Sequence, residues 1–413
     1  MKVLKYNSLE LENLDYNGKL LQFVNCKVFR GDEIKFDHVW VKDGRILDER
    51  SVFFEQQSEP DVQIDCCGLI LSPGFIDLQL NGGFGIDFST YTDDYKDGVS
   101  IVAKKLLAHG VTSFAPTIIT STPDVYHKVL PLLKKSNGSI HGSGILGAHL
   151  EGPFISAEKR GCHPRNYVIS SFGDNADETI KETYTNFENI AIVTLAPELP
   201  GSEKAIEFLT KNGITVSVGH SSANLEDGEK AVNNGAKMIT HLFNAMQSYH
   251  HRDPGLIGLL TSDKLKNGNN VCYGIISDGI HTHDSALRIA HRTNPEGMIL
   301  VTDAIAALGM EDGIHKLGTQ TIIVNGLHAI LQGTTTTAGS VASMPLCIRH
   351  LIKTTGCSIE HALKCATSKP AKLIGISHEK GALEVGTLAD IVLINENVEV
   401  NATFCSGRRV FHV

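Results

Sequence analysis

The chain has 413 residues, enough for a large core and two or three domains, although a single barrel of about 250 residues is common enough to weaken that count. Hydrophobic residues make up 42% and charged residues 20%, with 39 glycines, a balance that excludes a disordered chain and suits an α/β protein with many tight strand-to-helix turns. A net charge of −9 excludes a general attraction to nucleic acid or to an acidic membrane surface, so an anionic ligand requires a local basic pocket.

The first residues, MKVLKYNSLELENLDYNGK, lack the apolar core of a signal peptide. No window reaches about 18 uninterrupted apolar residues. A cytoplasmic protein without a membrane span is expected. From Leu20 to about Ile70, short β-rich runs such as LLQFVNCKVF and HVWVKDGRIL alternate with turn residues, and Asp43-Gly44 reads as a hairpin turn. The far end, LADIVLINENVEVNATFCSGRRVFHV, has the same character. Chain termini usually lie close together, so the two ends are read as one discontinuous β-sandwich domain, residues 1–72 with 376–413.

Between them, over 73–375, eight compact β-like runs recur: LILSPGFIDLQLN, VTSFAPTII, ILGAHLEGP, IAIVTLAPE, ITVSVGHS, KMITHLFN, NVCYGIISDG and MILVTDA. The intervals leave room for a helix each, as in KDGVSIVAKKLLAHG, and Gly110, Gly213 and Gly235 stand where a helix must stop. Eight such units predict a (β/α)8 TIM-like barrel. The first run breaks at Pro-Gly and rises into FIDLQLNG, where two-residue alternation delivers Asp77, Gln79 and Asn81 to one face. The Thr-rich GTTTTAGS at 333–340 reads as a loop.

A barrel places its working groups at the C-terminal ends of its strands. The run ends hold Gln79 and Asn81, Thr117, His149 and Glu151, Glu198, His220, His241, Asp278 and Asp303. Glu151, His220 and His241 form a three-ligand set for Zn²⁺ or a similar divalent ion, with a fourth position left for water. Each histidine alone is better explained by burial with a hydrogen-bond partner; three such groups at equivalent strand ends reverse that and favour the metal. His149 shares a face with Glu151 and either supports the ligands from behind or packs. Asp303 is the expected general base and acid, its alternative being a helix cap. The nine cysteines form no CxxC pair and, being odd in number, read as reduced thiols.

The motifs PGFID, HLEGPF, GHS, THLFNAM, DG-x-H, VTDA and GALEVGTLADIVLI resemble the amidohydrolase superfamily and, within it, the N-acetylglucosamine-6-phosphate deacetylases, over nearly the whole chain. GFGIDF, EGPFISAEKRGCHP and HHRDPGLIGLLTSD are similar to the animal members in particular. Superfamily members with two metals carry His-x-His on strand one and often a carbamylated Lys after strand four. This chain has Gln79 and Asn81 instead, and TLAPEL without a lysine. Amides are weak ligands beside imidazole, so one divalent ion per subunit is expected, with Zn²⁺ ahead of Co²⁺, Fe²⁺ or Ni²⁺. Gln79 and Asn81 then hydrogen-bond within the site or merely form the Asn81-Gly82-Gly83 turn.

The resemblance further implies hydrolysis of N-acetyl-D-glucosamine 6-phosphate to D-glucosamine 6-phosphate and acetate, in amino-sugar catabolism and hexosamine pathway control. It places His163 on the sugar, Asn244 and Ala245 on the phosphate, and His281 at the sugar and the reacting amide. It also implies a homodimer in which His251 and Arg252 reach across the interface. The alternatives are a deacetylase of another N-acetylated compound and a non-catalytic scaffold. Asp278 and His283 read as structural.

Overall fold

The structure, a computed structural model, describes residues 2–50, 52, 58–266, 271–317, 320–334 and 337–413. Thr335 and Thr336 of the Thr-rich stretch lie outside the described residues. Of the nine strands in the central sheet, eight form the barrel: β1 (Phe75–Leu80), β2 (Val111–Ile119), β3 (Ala148–Glu151), β4 (Ile190–Leu195), β5 (Thr215–Val218), β6 (Met238–Ile239), β7 (Cys272–Ile275) and β8 (Met298–Leu300); the ninth, Gly144–Ile145, is a two-residue strand beside β2. The eight follow one another in space and every neighbouring pair is parallel. Beyond β8 the chain returns to β1, the Asp303 amide donating to the Gln79 carbonyl at 2.8 Å and the Asn81 amide to the Ala304 carbonyl at 2.7 Å. The eight expected runs thus form a barrel of the TIM type. β2 and β4 are buried along nearly their whole length, as parallel strands covered on both faces are.

Helices cover the outside. Tyr95–Leu106 buries Val99, Val102, Ala103 and Leu106 on one face, and Gly110, at φ 70°, ends the turn that follows it. A side chain at Gly110 would stand 2.8 Å from Val392 and 3.0 Å from Phe75, so the barrel packs against the sheet of the chain ends at a position where no Cβ fits. Among the described residues, the covering element after β6 is the 3₁₀ stretch Gly255–Leu260, packed on the helix Leu225–Asn233. Ala371 and Leu373, from the short helix Ser368–Leu373, pack with the apolar interior made by Ile76, Leu78, Ile192, Met238, Ile299 and Val301.

The two chain ends do meet. Ile391–Ile394 pairs antiparallel with Ile70–Pro73 in one nine-stranded sheet that also holds Lys2–Lys5, Leu21–Arg30, Glu33–Lys42 and Arg408–His412. Leu21–Arg30 pairs first with Val62–Asp65 and then with Ile70–Pro73, which folds the sheet around its own core of Phe23, Val39, Ile64, Leu393 and Phe404. Asp43 (φ 50°) and Gly44 (φ 78°) form the expected hairpin turn, with Lys42 opposite Arg45. An antiparallel meander, Gly313–Leu317, Gln320–Asn325 and His328–Leu331, follows β8 and was not expected from the sequence. Among the described residues no helix is long and apolar enough to cross a membrane.

One expectation about β1 is overturned. Between Asp77 and Leu80 the strand advances three residues while β2 advances two, from Phe114 to Pro116. This bulge breaks the two-residue alternation. Leu78 joins the interior apolar cluster, and Gln79, one residue on, still reaches the site. Asp77 does not share their face; it accepts from Thr302 Oγ1 at 2.6 Å, and its charge reaches Cys347 on the helix Met344–Thr355.

Candidate metal centre and active site

Glu151 is the last residue of β3, while His220 and His241 stand two residues beyond β5 and β6. Both histidines have positive φ, 47° and 27°, and so does Asp303, at 48° beyond β8. Non-glycine residues hold this conformation only where the surrounding fold over-determines it, and such positions concentrate at working sites. The strain turns the side chains inward at the mouth. Glu151 Oε1 lies 3.1 Å from His220 Nε2 and 3.0 Å from His241 Nε2, and the two Nε2 atoms are 3.1 Å apart.

These atoms fit a divalent cation. His220 Nδ1–H donates to the Lys159 carbonyl at 2.8 Å, which turns the Nε2 lone pair toward the other two ligand atoms. Three electron-rich atoms at such spacing repel unless positive charge lies among them, and two imidazole nitrogens with one carboxylate oxygen are a donor set that Zn²⁺ and its neighbours accept. Without the ion the cluster draws positive charge from a proton. Burial alone would lower His241, but the hydrogen bond and charge of Glu151 win and push it up to about 9. Burial alone would raise Glu151, and the two histidines instead hold it well below the usual carboxylate range.

The amides of β1 connect this cluster to Asp303. Gln79 Nε2 donates to Glu151 Oε1 at 3.0 Å and to Asp303 Oδ1 at 3.3 Å, and Asn81 Nδ2 donates to Asp303 Oδ1 at 2.6 Å. The Gln79 and Asn81 oxygens are buried without a hydrogen-bond partner among the described residues, so these side chains act here as donors. Burial, then the charge of Glu151, push Asp303 up to about 6; a cation among the ligands opposes that shift.

His149 is not turned to the ligand atoms. Its Nδ1–H donates to the Leu78 carbonyl at 2.9 Å, and its Nε2 accepts from Thr194 Oγ1 at 2.7 Å. Thr194, Thr240 and Ser217 continue a buried hydroxyl chain beneath the centre. His163 Nδ1 accepts from the Thr120 amide at 3.3 Å, which leaves Nε2 protonated, 3.9 Å from Glu151 Oε2. Burial and the neighbouring His220 hold its pKa down to about 3, so His163 is a neutral donor. His281 Nδ1 lies 2.6 Å from Asp278 Oδ2, and the charge of His281 is felt at Asp303.

The residues expected at a phosphate are less closely drawn in. The Asn244 amide donates to the His241 carbonyl at 2.9 Å, and the Ala245 carbonyl accepts from the Ser221 amide at 3.0 Å, so both sit in the loop that carries a ligand. His251 and Arg252 are exposed, and among the described residues no hydrogen bond or ion pair ties their side chains to the cluster. Three supporting groups escaped the sequence reading. Glu198, though noticed as a strand end, accepts from Ser221 Oγ and the Ser222 amide behind His220. Thr120 orients His163, and Asp278 holds His281. Glu198 and Asp278 each left a signal as a run-end carboxylate, Asp278 also by standing three residues before a mouth histidine, whereas Thr120 left none.

The model of the Amidohydrolase family matches residues 70–410. N-acetylglucosamine-6-phosphate deacetylase of Caenorhabditis elegans is 68% identical over 411 residues, covering 99% of this chain and 98% of that protein. The chain belongs to the amidohydrolase family, among the N-acetylglucosamine-6-phosphate deacetylases. The human enzyme of that name is 52% identical over 95% of this chain and 96% of its own length. Among solved structures, the deacetylase of Pasteurella multocida superposes with a TM-score of 0.82 at 27% identity, covering 94% of this chain and 99% of its own. A Mycobacterium smegmatis mutant deacetylase in complex with N-acetyl-D-glucosamine-6-phosphate gives a TM-score of 0.80 at 27% identity over 95% of this chain and all of its own. Members of this family bind a divalent metal, and the buried Glu151, His220 and His241 set provides for one.

Proposed function

We propose that the protein hydrolyses the acetamide of N-acetyl-D-glucosamine 6-phosphate, giving D-glucosamine 6-phosphate and acetate, within cytoplasmic amino-sugar catabolism and hexosamine pathway control. The observation that carries this reading is the meeting of Glu151, His220 and His241 with Asp303 tied to them through Gln79. Glu151, His220 and His241 hold one divalent ion per subunit, Zn²⁺ being the first choice and Co²⁺, Fe²⁺ or Ni²⁺ compatible with the same donors. Such an ion, when bound, supplies Lewis acidity at the amide carbonyl and lowers the pKa of water toward about 7.

Asp303 takes the proton of the attacking water, whose oxygen joins the carbonyl carbon, and returns it to the amino nitrogen as the C–N bond breaks. Gln79 and Asn81 keep the Asp303 carboxylate turned toward that path. His281 faces the oxygen that gains charge as the carbon becomes tetrahedral. His163 offers its Nε2–H to the sugar, and Asn244 and the Ala245 backbone meet the phosphate. His251 and Arg252, exposed on their own subunit, serve the neighbouring subunit's site in a homodimer, where the guanidinium fork suits phosphate oxygens. The division into 1–72, 73–375 and 376–413 belongs to the same proposal. The intact ligand set and Asp303 favour an enzyme over a scaffold.

The test is acetate release from N-acetylglucosamine 6-phosphate by the purified protein, before and after chelation and after divalent metals are added back. Activity lost to chelator and restored by metal is expected. No release with any metal from a folded protein would overturn the assignment and turn attention to other N-acetylated compounds.

A further inference from the structure

The turn after β7 is built around one carboxylate. Asp278 is 4% exposed, and its Oδ1 accepts from the amides of Ile280 at 2.9 Å and His281 at 2.8 Å. Oδ2 is left for His281 Nδ1 at 2.6 Å. The turn is locked from behind. Gly279, at φ 77°, lies against the His350 ring, where an added Cβ would come within 3.0 Å, and the preceding Ser277 Oγ meets His350 Nδ1 at 3.1 Å. Burial alone would raise the Asp278 carboxyl, and the hydrogen bond and charge of His281 hold it below the usual range. Asp278 is therefore an acceptor only.

We propose that Asp278 is the positioning residue of the reaction: it fixes the ring plane of His281 and keeps the proton on Nδ1, so that Nε2 alone meets the reacting amide. The proposal rests on the reading that His281 stands at that amide. An ionised Asp278 accepts and cannot donate, so Nδ1 must carry hydrogen in every state of the ring. Nε2, which has no hydrogen-bond partner among the described residues, then becomes a donor to the developing oxyanion only when the ring is an imidazolium. Asp278 is the counter-charge for that form, as the buried aspartate of a serine-protease triad is for its histidine. The two histidines of the substrate side are thereby set to opposite tautomers: His163 bears its proton on Nε2, held by Thr120, and neutral His281 on Nδ1.

Asp278→Asn separates this role from a merely structural one. The asparagine oxygen keeps both backbone N–H bonds of the turn, while its amide donates toward Nδ1, drives the single proton to Nε2 and removes the counter-charge, so that only a neutral imidazole and no longer an imidazolium meets the oxyanion. The expected result is unchanged metal content, kcat down by about a hundredfold or more, KM within about threefold, and a ¹⁵N spectrum in which the His281 proton moves from Nδ1 to Nε2. A kcat within about threefold of the unmodified enzyme, with the tautomer switched, would overturn the proposal. Should that variant misfold, Asp278→Ser retains a short acceptor for the turn and leaves Nδ1 unpartnered, and the same split between kcat and KM is expected. Acting through His281 also requires that Asp278→Asn cost nothing further in a His281→Ala background; additive losses would count against it. Full activity in His281→Ala alone would instead sink the reading of His281, so the two failures are told apart.

Discussion

Asp303, just beyond β8, and Asp77, on β1, both have carboxyls pushed upward chiefly by burial, yet they have different roles. Asp303 faces the ligand cluster through Gln79 and Asn81. In Asp303→Asn the shape and the amide contacts persist, so metal content by elemental analysis should hold while turnover falls by about 10²- to 10⁴-fold, the usual weight of a lost general base. Turnover close to that of the unmodified enzyme would remove Asp303 from the chemistry. Asp77, bonded to Thr302 and raised to about 7, carries a stability signature instead. Between about pH 4 and pH 7 the unfolded chain has released this proton and the folded chain retains it. Stability present below the unfolded pKa is thus lost as pH rises to about 7. Asp77→Asn lacks that loss, so its denaturation midpoint should improve relative to the parent between pH 5 and pH 8. A constant gap between the two proteins would contradict the burial argument.

Among the elements, the end of β3 is the least tolerant of change. Gly152 follows Glu151 at φ 88°, and a Cβ there would stand 2.2 Å from Thr120 Oγ1. The left-handed backbone alone costs an alanine about 1–2 kcal/mol, and the clash pushes the hydroxyl that orients His163. Gly152→Ala should therefore lower the thermal midpoint and reduce metal retention together. Retained metal at an unchanged midpoint would show that the strand end yields more easily than its packing implies. β1 shows the limit of pattern reading at this scale. Alternation predicts Asp77, Gln79 and Asn81 on one face, and the bulge against β2 removes Asp77 from it. No residue type marks that bulge, because it is decided by the neighbouring strand.

For the molecule as a whole, the proposed homodimer is the claim most exposed to test. Arg252 is solvent-exposed, with no ion pair to the ligand cluster of its own chain among the described residues. If it binds phosphate across an interface, Arg252→Ala should raise KM about tenfold or more and leave kcat nearly unchanged, the mark of lost uniform binding. Sedimentation should find the active species to be a dimer; an active monomer would rule out the shared site. The sequence by itself determined the eight barrel strands, the union of the two chain ends and the Glu151, His220 and His241 set. Those features rest on local apolar runs, on turn residues and on chemistry written in single letters at strand ends. The tertiary structure alone decided that Gln79 and Asn81 bridge the ligands to Asp303, that His149 turns away to Leu78 and Thr194, and that Asp278 and Thr120 set the tautomers of His281 and His163. Such hydrogen bonds join residues far apart in the chain, or depend on which way a ring or an amide faces, and no spacing encodes that until the barrel has closed.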